Sequence, residues 1–341
     1  MNRSTPVEEI PVAAAPAVPG LVWRTIQGES DAEALCAVHD GRLAHDQVDL
    51  LSLSEGAPSV DGLRARLAQV CAEGRQERWL VAQVDDQVVG YSQIADWPEA
   101  DGTQVYLLLG WVLPAWRGRG IGSAMLHRAE ARARHLAAAE HPGAPFEFAA
   151  NASSTETEAT ALLLHEGYRA GYTVIEMGLD PSTPLAALPL PPGVEVRPVH
   201  NEHYLPIATS VDEAYRHEYD GDRFREELDL EAYVAELRAP HQDPSLWPVA
   251  WAGDAIAGQV LTTVHDNGVG EVFEVSVRPA WRRRGLGRAL LSRALIELRA
   301  RGVETIRLRT VAEFRTRASD LYHSVGFRLL KEFPRYRKPA G

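Results

Sequence analysis

Lysine is almost missing from this chain. Of 35 basic residues in 341, only Lys331 and Lys338 are lysines, and the other 33 are arginines. Acidic residues number 47, for a net charge of −12. An acidic chain is a poor nonspecific ligand for nucleic acid, although local arginine clusters remain available for phosphates. Cysteine is equally scarce. Cys36 and Cys71 stand alone and outside any CxxC arrangement, which excludes a disulfide framework and a zinc cluster and makes a reducing cytoplasm the expected compartment, with no metal. Residues 1–20 carry Pro6, Pro11, Pro16 and Pro19 among alanines. They lack a basic stretch followed by an apolar core, so they read as a disordered tail rather than a signal peptide. No apolar run approaches the roughly 20 residues that cross a bilayer. Neither a membrane nor a nucleic acid is expected as a partner.

What is present centres on residues 277–287, Val-Arg-Pro-Ala-Trp-Arg-Arg-Arg-Gly-Leu-Gly. Before them, β-branched residues at 271–277 read as a strand that Pro279 ends. After them, Leu286, Leu290, Ala294 and Leu298, four apart, mark the core face of a helix. A glycine-rich turn opening a helix leaves backbone N–H groups unpaired and aims the positive end of the helix dipole outward, so it can seat a pyrophosphate. The spacing Arg-x-x-Gly-x-Gly is weak alone, but it occurs twice. Residues 114–122, Pro-Ala-Trp-Arg-Gly-Arg-Gly-Ile-Gly, match 279–287 at an offset of 165. These loops start with arginine and sit mid-domain, unlike the Gly-x-Gly-x-x-Gly that follows the first strand of a dinucleotide fold.

Strand, Val-x-Pro, Arg-x-x-Gly-x-Gly, helix, then Ala-Ser-Asp-Leu-Tyr-His-Ser-Val-Gly-Phe at 318–327 resembles the GNAT superfamily of acetyl-CoA-dependent N-acyltransferases. The resemblance covers nearly the whole chain as two tandem copies, a layout similar to that of the mycothiol synthases. It implies an α+β fold of two GNAT-like domains, each a mixed, mostly antiparallel sheet flanked by helices, with acetyl-CoA as cosubstrate. The order of elements gives a tail at 1–20, a first domain at 21–180, a proline-rich linker at 181–193 and a second domain at 194–341.

Acetyl transfer to an amine needs a base for the ammonium, a donor to the thioester carbonyl and an acid for the departing thiolate. An alkyl amine of pKa about 10 is mostly protonated at neutral pH. Glu271, eleven residues before Arg282, stands where matching members of the family carry the general base; the plainer reading is a solvated glutamate at a strand start. Glu274, an odd step away on a period-2 strand, is expected on the opposite face, with a lesser role toward substrate. Tyr322 matches the tyrosine whose hydroxyl reaches the thioester sulfur; a packing role is the alternative. Backbone N–H groups around Val275 and Val277 are expected at the carbonyl, with Arg282, Arg284, Gly285, Gly287 and Arg288 around the pyrophosphate. Arg283 is as well explained by solvation. Arg315 departs from the asparagine that many members carry there.

The first copy keeps Arg117, Arg119, Gly120 and Gly122 as its own cradle. It has Tyr106 in place of Glu271 and Leu163 in place of Tyr322, so it reads as a coenzyme-binding or purely structural domain. Between 201 and 243, 12 acidic residues alternate with Tyr215, Tyr219, Phe224 and Tyr233. Such a surface suits a cationic amine, and a merely solvated helix face accounts for it too. The resulting expectation is an acetyltransferase acting on a small-molecule amine in a ternary complex, as a monomer with an internal pseudo-dimer or as a homodimer. The alternatives are a coenzyme-A-binding regulator without turnover, and an enzyme acetylating protein N-termini or lysines.

Overall fold

The computed structural model describes residues 10–13, 15–216, 228–312 and 318–340. They divide into two compact units, Met1–Gly171 with Phe333–Gly341, and Tyr172–Glu332.

The first unit holds strands β1 (Leu21–Arg24), β2 (Trp79–Val84), β3 (Gln87–Pro98), β4 (Gln104–Val112) and β5 (Phe146–Asn151), and helices α1 (Ala32–Asp40), α2 (Val60–Ala72), α3 (Ile121–Glu140) and α4 (Thr157–His165). The strands pair in chain order, antiparallel except for the parallel pair β4–β5. Strand β2 shows why its sequence builds two layers. Trp79 and Val81 pack among Leu35, Val38, Leu63 and Leu67 of α1 and α2, whereas Leu80, Ala82 and Val84 pack among Ile121, Ala124 and Met125 of α3. Successive strand side chains point to opposite faces, so an unbroken apolar run is buried on both.

The second unit repeats the plan with β6 (Arg169–Leu179), β7 (Glu195–Arg197), β8 (Val249–Ala252), β9 (Ala255–Val264), β10 (Gly270–Val277), β11 (Ile306–Val311) and β12 (Phe327–Pro339), and with α5 (Tyr204–Arg216), α6 (Leu230–Leu237), α7 (Leu286–Ala300) and α8 (Ala318–Ser324). Its order is β6-β11-β10-β9-β8-β7, with β10–β11 parallel. Leu286, Leu290, Ala294 and Leu298 of α7 all sit in the core, as their spacing predicts. The residues at 181–193 also pack here. Arg299 of α7 donates to the carbonyls of Thr183 (2.6 Å) and Asp180 (2.8 Å).

The two units do not divide at the 181–193 linker read from sequence; they exchange closing strands. The part of β6 at 174–179 pairs with β11 in the second unit, and the part of β12 at 335–339 pairs with β5 in the first. A buried ion pair pins each. Arg307 holds Glu176 at 2.7 Å, and Arg337 holds Glu147 at 3.0 Å and Glu99 at 3.2 Å.

The expected disordered tail also needs correction over its described residues. The Ile10 N–H donates to the Trp23 carbonyl at 2.7 Å, and Val12 is buried with Ile10 and Val18 around it. Apolar residues among the prolines find a seat on β1 and α3.

Both parallel pairs come apart in the same way. β10 pairs with β11 only from Gly270 to Val272, although it runs on to Val277. β4 pairs with β5 only from Gln104 to Leu107, although it runs on to Val112. Each unit therefore has a wedge between diverging strands, with the glycine-rich turn at its end.

Candidate active site

In the second unit a short turn at Pro279–Trp281 ends the strand region, and α7 starts at Leu286 with Gly285 as its N-cap. Gly285 has φ 80°, and no side chain caps the helix. A left-handed residue there costs an L side chain about 1–2 kcal/mol, which glycine avoids. A Cβ on Gly285 would meet nothing within 4 Å among the described residues. At Gly287 a Cβ would lie 3.4 Å from Val277 and 3.6 Å from Leu321, so this glycine lets α7 sit close to β10 and α8.

The arginines divide their work. Arg282 turns back, its Nε donating to the Val277 carbonyl at 2.9 Å and a terminal nitrogen to Ala214 at 2.5 Å. These two bonds clamp the turn to β10 and to α5. Arg284 lies over the Trp281 ring at 4.9 Å, and Arg288 donates to the Ser324 carbonyl at 3.1 Å. Val275 and Val277 lie on the part of β10 that β11 has left.

Glu271 is 6% exposed and anchored at both carboxylate oxygens, by Arg309 at 3.0 Å and His265 at 2.8 Å. It is therefore not a solvated strand-start glutamate. His265 follows β9 in the hairpin leading to β10, and Arg309 lies two residues beyond Glu271's register partner Arg307 on β11. Sequence reasoning missed both partners. The one available signal was the alternation of Arg307 and Arg309, which puts both on one face of β11.

Tyr322, on α8, is 8% exposed and packs edge-on against Phe327. Burial, with the Glu274 charge added, pushes its phenol above the ordinary value of 10.0. It stays protonated at neutral pH, as a proton donor must.

Glu274 is not on the face expected. A Cβ on Gly270 would meet Val303 and Leu298, so Gly270 faces α7, and Glu271 faces away from it. Ser276 bonds Gln259 (2.7 Å), which bonds Ser210 of α5 (2.8 Å), so Ser276 and Glu274 face α5. Gly270 and Glu274, four apart, would share a face in a regular strand. A β-bulge between Val272 and Glu274 resets the alternation and brings both glutamates to the α5 face. There Tyr215 donates to Glu274 at 2.8 Å, and burial followed by the Glu274 charge raises the Tyr233 phenol.

Part of the acidic stretch has local duties. Asp229 caps α6, Asp243 caps the turn at Pro244–Leu246, and Glu213 pairs with Arg278. Glu218, Tyr219, Asp220, Asp222, Phe224, Glu226 and Glu227, like Arg315, lie outside the described residues.

In the first unit Gly120 repeats the left-handed N-cap with φ 85°, and Arg117 repeats the clamp, Nε to the Val112 carbonyl at 2.9 Å. The rest of its guanidinium is taken by Asp46 and Glu158. Arg119 stacks over Trp116 at 4.7 Å, and Gly122 approaches Leu162 as Gly287 approaches Leu321. Tyr106 is fully buried, its hydroxyl unpartnered among the described residues, and Leu163 is buried. His45, Asp46 and Glu158 bring possible ligand atoms within 4.8 Å of one another, but the Arg117 guanidinium already bonds both carboxylates.

Two wedged sheets, each closed by an arginine-clamped glycine turn at a helix start, define an acetyltransferase architecture. The model of the acetyltransferase (GNAT) family matches residues 48–142 and 208–327, and the chain belongs to that family. It is a tandem GNAT N-acetyltransferase, and GNAT acetyltransferases use acetyl-CoA. It is similar to the mycothiol acetyltransferase of Thermobispora bispora, 29% identical over 297 residues covering 83% of this chain and 92% of that one. The mycothiol acetyltransferase of Kineococcus radiotolerans is 32% identical over 291 residues, covering 83% and 89%. Among solved structures, a GCN5-related N-acetyltransferase from Sphaerobacter thermophilus shares the fold with a TM-score of 0.73 at 23% identity, over 94% of this chain and 96% of that one. Among the described residues no helix is long and apolar enough to cross a membrane.

Proposed function

We propose that the second unit transfers the acetyl group of acetyl-CoA to the amine of a small molecule by direct attack within a ternary complex, while the first unit does no chemistry. The observation that carries this reading is the buried Tyr322 close enough to feel the Glu274 charge, on the strand that also carries Glu271, where the first unit has Leu163 and Tyr106. Gly285, Gly287, Arg284 and Arg288 take the pyrophosphate, and the backbone at Val275 and Val277 donates to the thioester carbonyl as it becomes an oxyanion. Glu271 receives the ammonium proton, directly or through a water, and its contact with His265, which is exposed enough to meet solvent, gives that proton a way out. The amine attacks the carbonyl carbon, the carbon–sulfur bond breaks, Tyr322 protonates the thiolate, and the second proton that the nitrogen sheds as the amide forms restores the phenol. Relatives named mycothiol acetyltransferases favour a small-molecule acceptor over a protein terminus or lysine. The test is release of coenzyme A from acetyl-CoA across a panel of small amines, amino sugars and peptides. Turnover with peptides alone, or with none of the amines, would count against this reading.

A further inference from the structure

The wedge of the first unit opens into a cavity of about 630 Å3, within the roughly 300–1,000 Å3 range of small-molecule sites. Leu108, Leu109, Met125, Leu126, Leu162 and Leu163 give it apolar walls. Its mouth has the wrong charge for a pyrophosphate. Asp46, 1% exposed, grips Arg117 through both oxygens, at 2.7 and 2.8 Å, and Glu158 takes the same guanidinium at 2.7 Å. Arg42 bridges Asp46 at 3.2 Å and Glu156 at 2.9 Å. Of the charged side chains that line the cavity, Arg117 stands alone against Glu156 and Glu158. Burial alone would raise the Asp46 carboxyl, but Arg117 and Arg42 outweigh it and hold it below its ordinary value.

Two comparisons with the second copy sharpen the contrast. A Cβ on Gly120 would lie 3.2 Å from Pro16, so the tail covers the outer side of this turn, whereas a Cβ on Gly285 would meet no described residue within 4 Å. In sequence, Glu156 and Glu158 align with Arg315 and Arg317 when Gly167 is placed on Gly326. Both basic positions of the second copy are acidic in the first, and a diphosphate brought to that mouth meets carboxylates already committed to the arginines it would need.

We propose that the first unit's cavity binds an apolar small molecule without phosphate, of acyl or aromatic character, and does not hold coenzyme A. This is independent of the acetyl transfer assigned to the second unit. N-phenyl-1-naphthylamine, an uncharged fluorophore, titrated into the whole chain should show saturable enhancement. Ala159→Trp, which fills the cavity, should weaken that binding roughly tenfold or more with unchanged circular dichroism. Leu126→Phe serves as a second filling variant should Ala159→Trp not fold. Calorimetric titration with coenzyme A should give no more than one site per chain. Absence of probe binding, probe binding indifferent to the filling variants, or a second coenzyme A site lost in Gly120→Asp each overturns the proposal. A chain that binds the probe but no coenzyme A at all refutes the second-unit cradle and leaves this one standing.

Discussion

The Nε of Arg282 donates to the carbonyl of Val277, five residues earlier, at 2.9 Å, and Arg117 repeats the bond to Val112 at the same length. The first arginine of Arg-x-x-Gly-x-Gly is therefore a staple that fixes the turn on its strand. Arg282→Ala should destabilise the second unit by about 1.5–3 kcal/mol, the range for a charged hydrogen bond, and weaken coenzyme A binding through a loosened turn. Arg282→Lys should restore little, because a point charge cannot span the Val277 and Ala214 carbonyls together. Thermal unfolding and calorimetric titration read the two effects.

Tyr322→Phe should lower kcat about 100-fold while leaving coenzyme A affinity nearly unchanged, since only the proton donor is removed. Glu271→Gln should also lower turnover, less severely at high pH where more of the amine is already neutral. Steady-state kinetics across pH, with an acceptor found in the amine panel, check both. Full activity in both variants would remove the proposed chemistry.

Gly285→Asp should abolish coenzyme A binding, because it sets a carboxylate where the phosphates approach. Gly120→Asp carries the same strain in φ and must also displace Pro16. Its expected cost is one of stability, about 1–3 kcal/mol, seen as a lower unfolding midpoint.

Glu176→Ala should destabilise the chain by about 3–5 kcal/mol, because the Arg307 charge stays buried without this carboxylate. Denaturant unfolding measures the loss. A change below 1 kcal/mol would mean the pair contributes little to holding β6 on β11.

His39 sits 4% exposed in the first unit, its Nε2 2.6 Å from the Tyr91 hydroxyl. Burial, then the Arg42 charge, lowers its pKa from 6.5 to about 4. Between those values the unfolded chain binds the proton and the folded chain does not, so stability falls as pH drops from about 6.5 toward 4. The limit is about 3 kcal/mol. Asp46, whose pKa is depressed, adds its loss only at lower pH, as the medium passes below the ordinary value of 3.8. Urea midpoints from pH 4.5 to 7 should rise, and His39→Phe should flatten that rise.

The repeat, both glycine turns, the core stripe of α7 and the residue types at 271 and 322 were all legible in the sequence, because each rests on local spacing. Four features were not. The bulge that turns Glu274 toward α5 leaves no mark in a run of alternating residues. The partners of Glu271 come from another strand and a hairpin, and the acid that takes Arg117 lies 71 residues away. The sheet that each closing strand joins is set by its pairing, β6 with β11 and β12 with β5, in each case far away in sequence. Tertiary pairing decides such choices, and buried arginine–glutamate pairs mark where it did.

That exchange has a consequence for how the polypeptide comes off the ribosome. The first unit contains residues 1–171 but takes its last strand from 333–341. N-terminal residues emerge first, at about 5–20 per second, so β5 waits some 180 residues of synthesis, roughly 10–40 seconds, with its edge unpaired. A nascent sheet with an open edge invites pairing with other chains. Severing the chain within 181–193 would strand each closing segment with the wrong partner, giving two incomplete sheets rather than two domains.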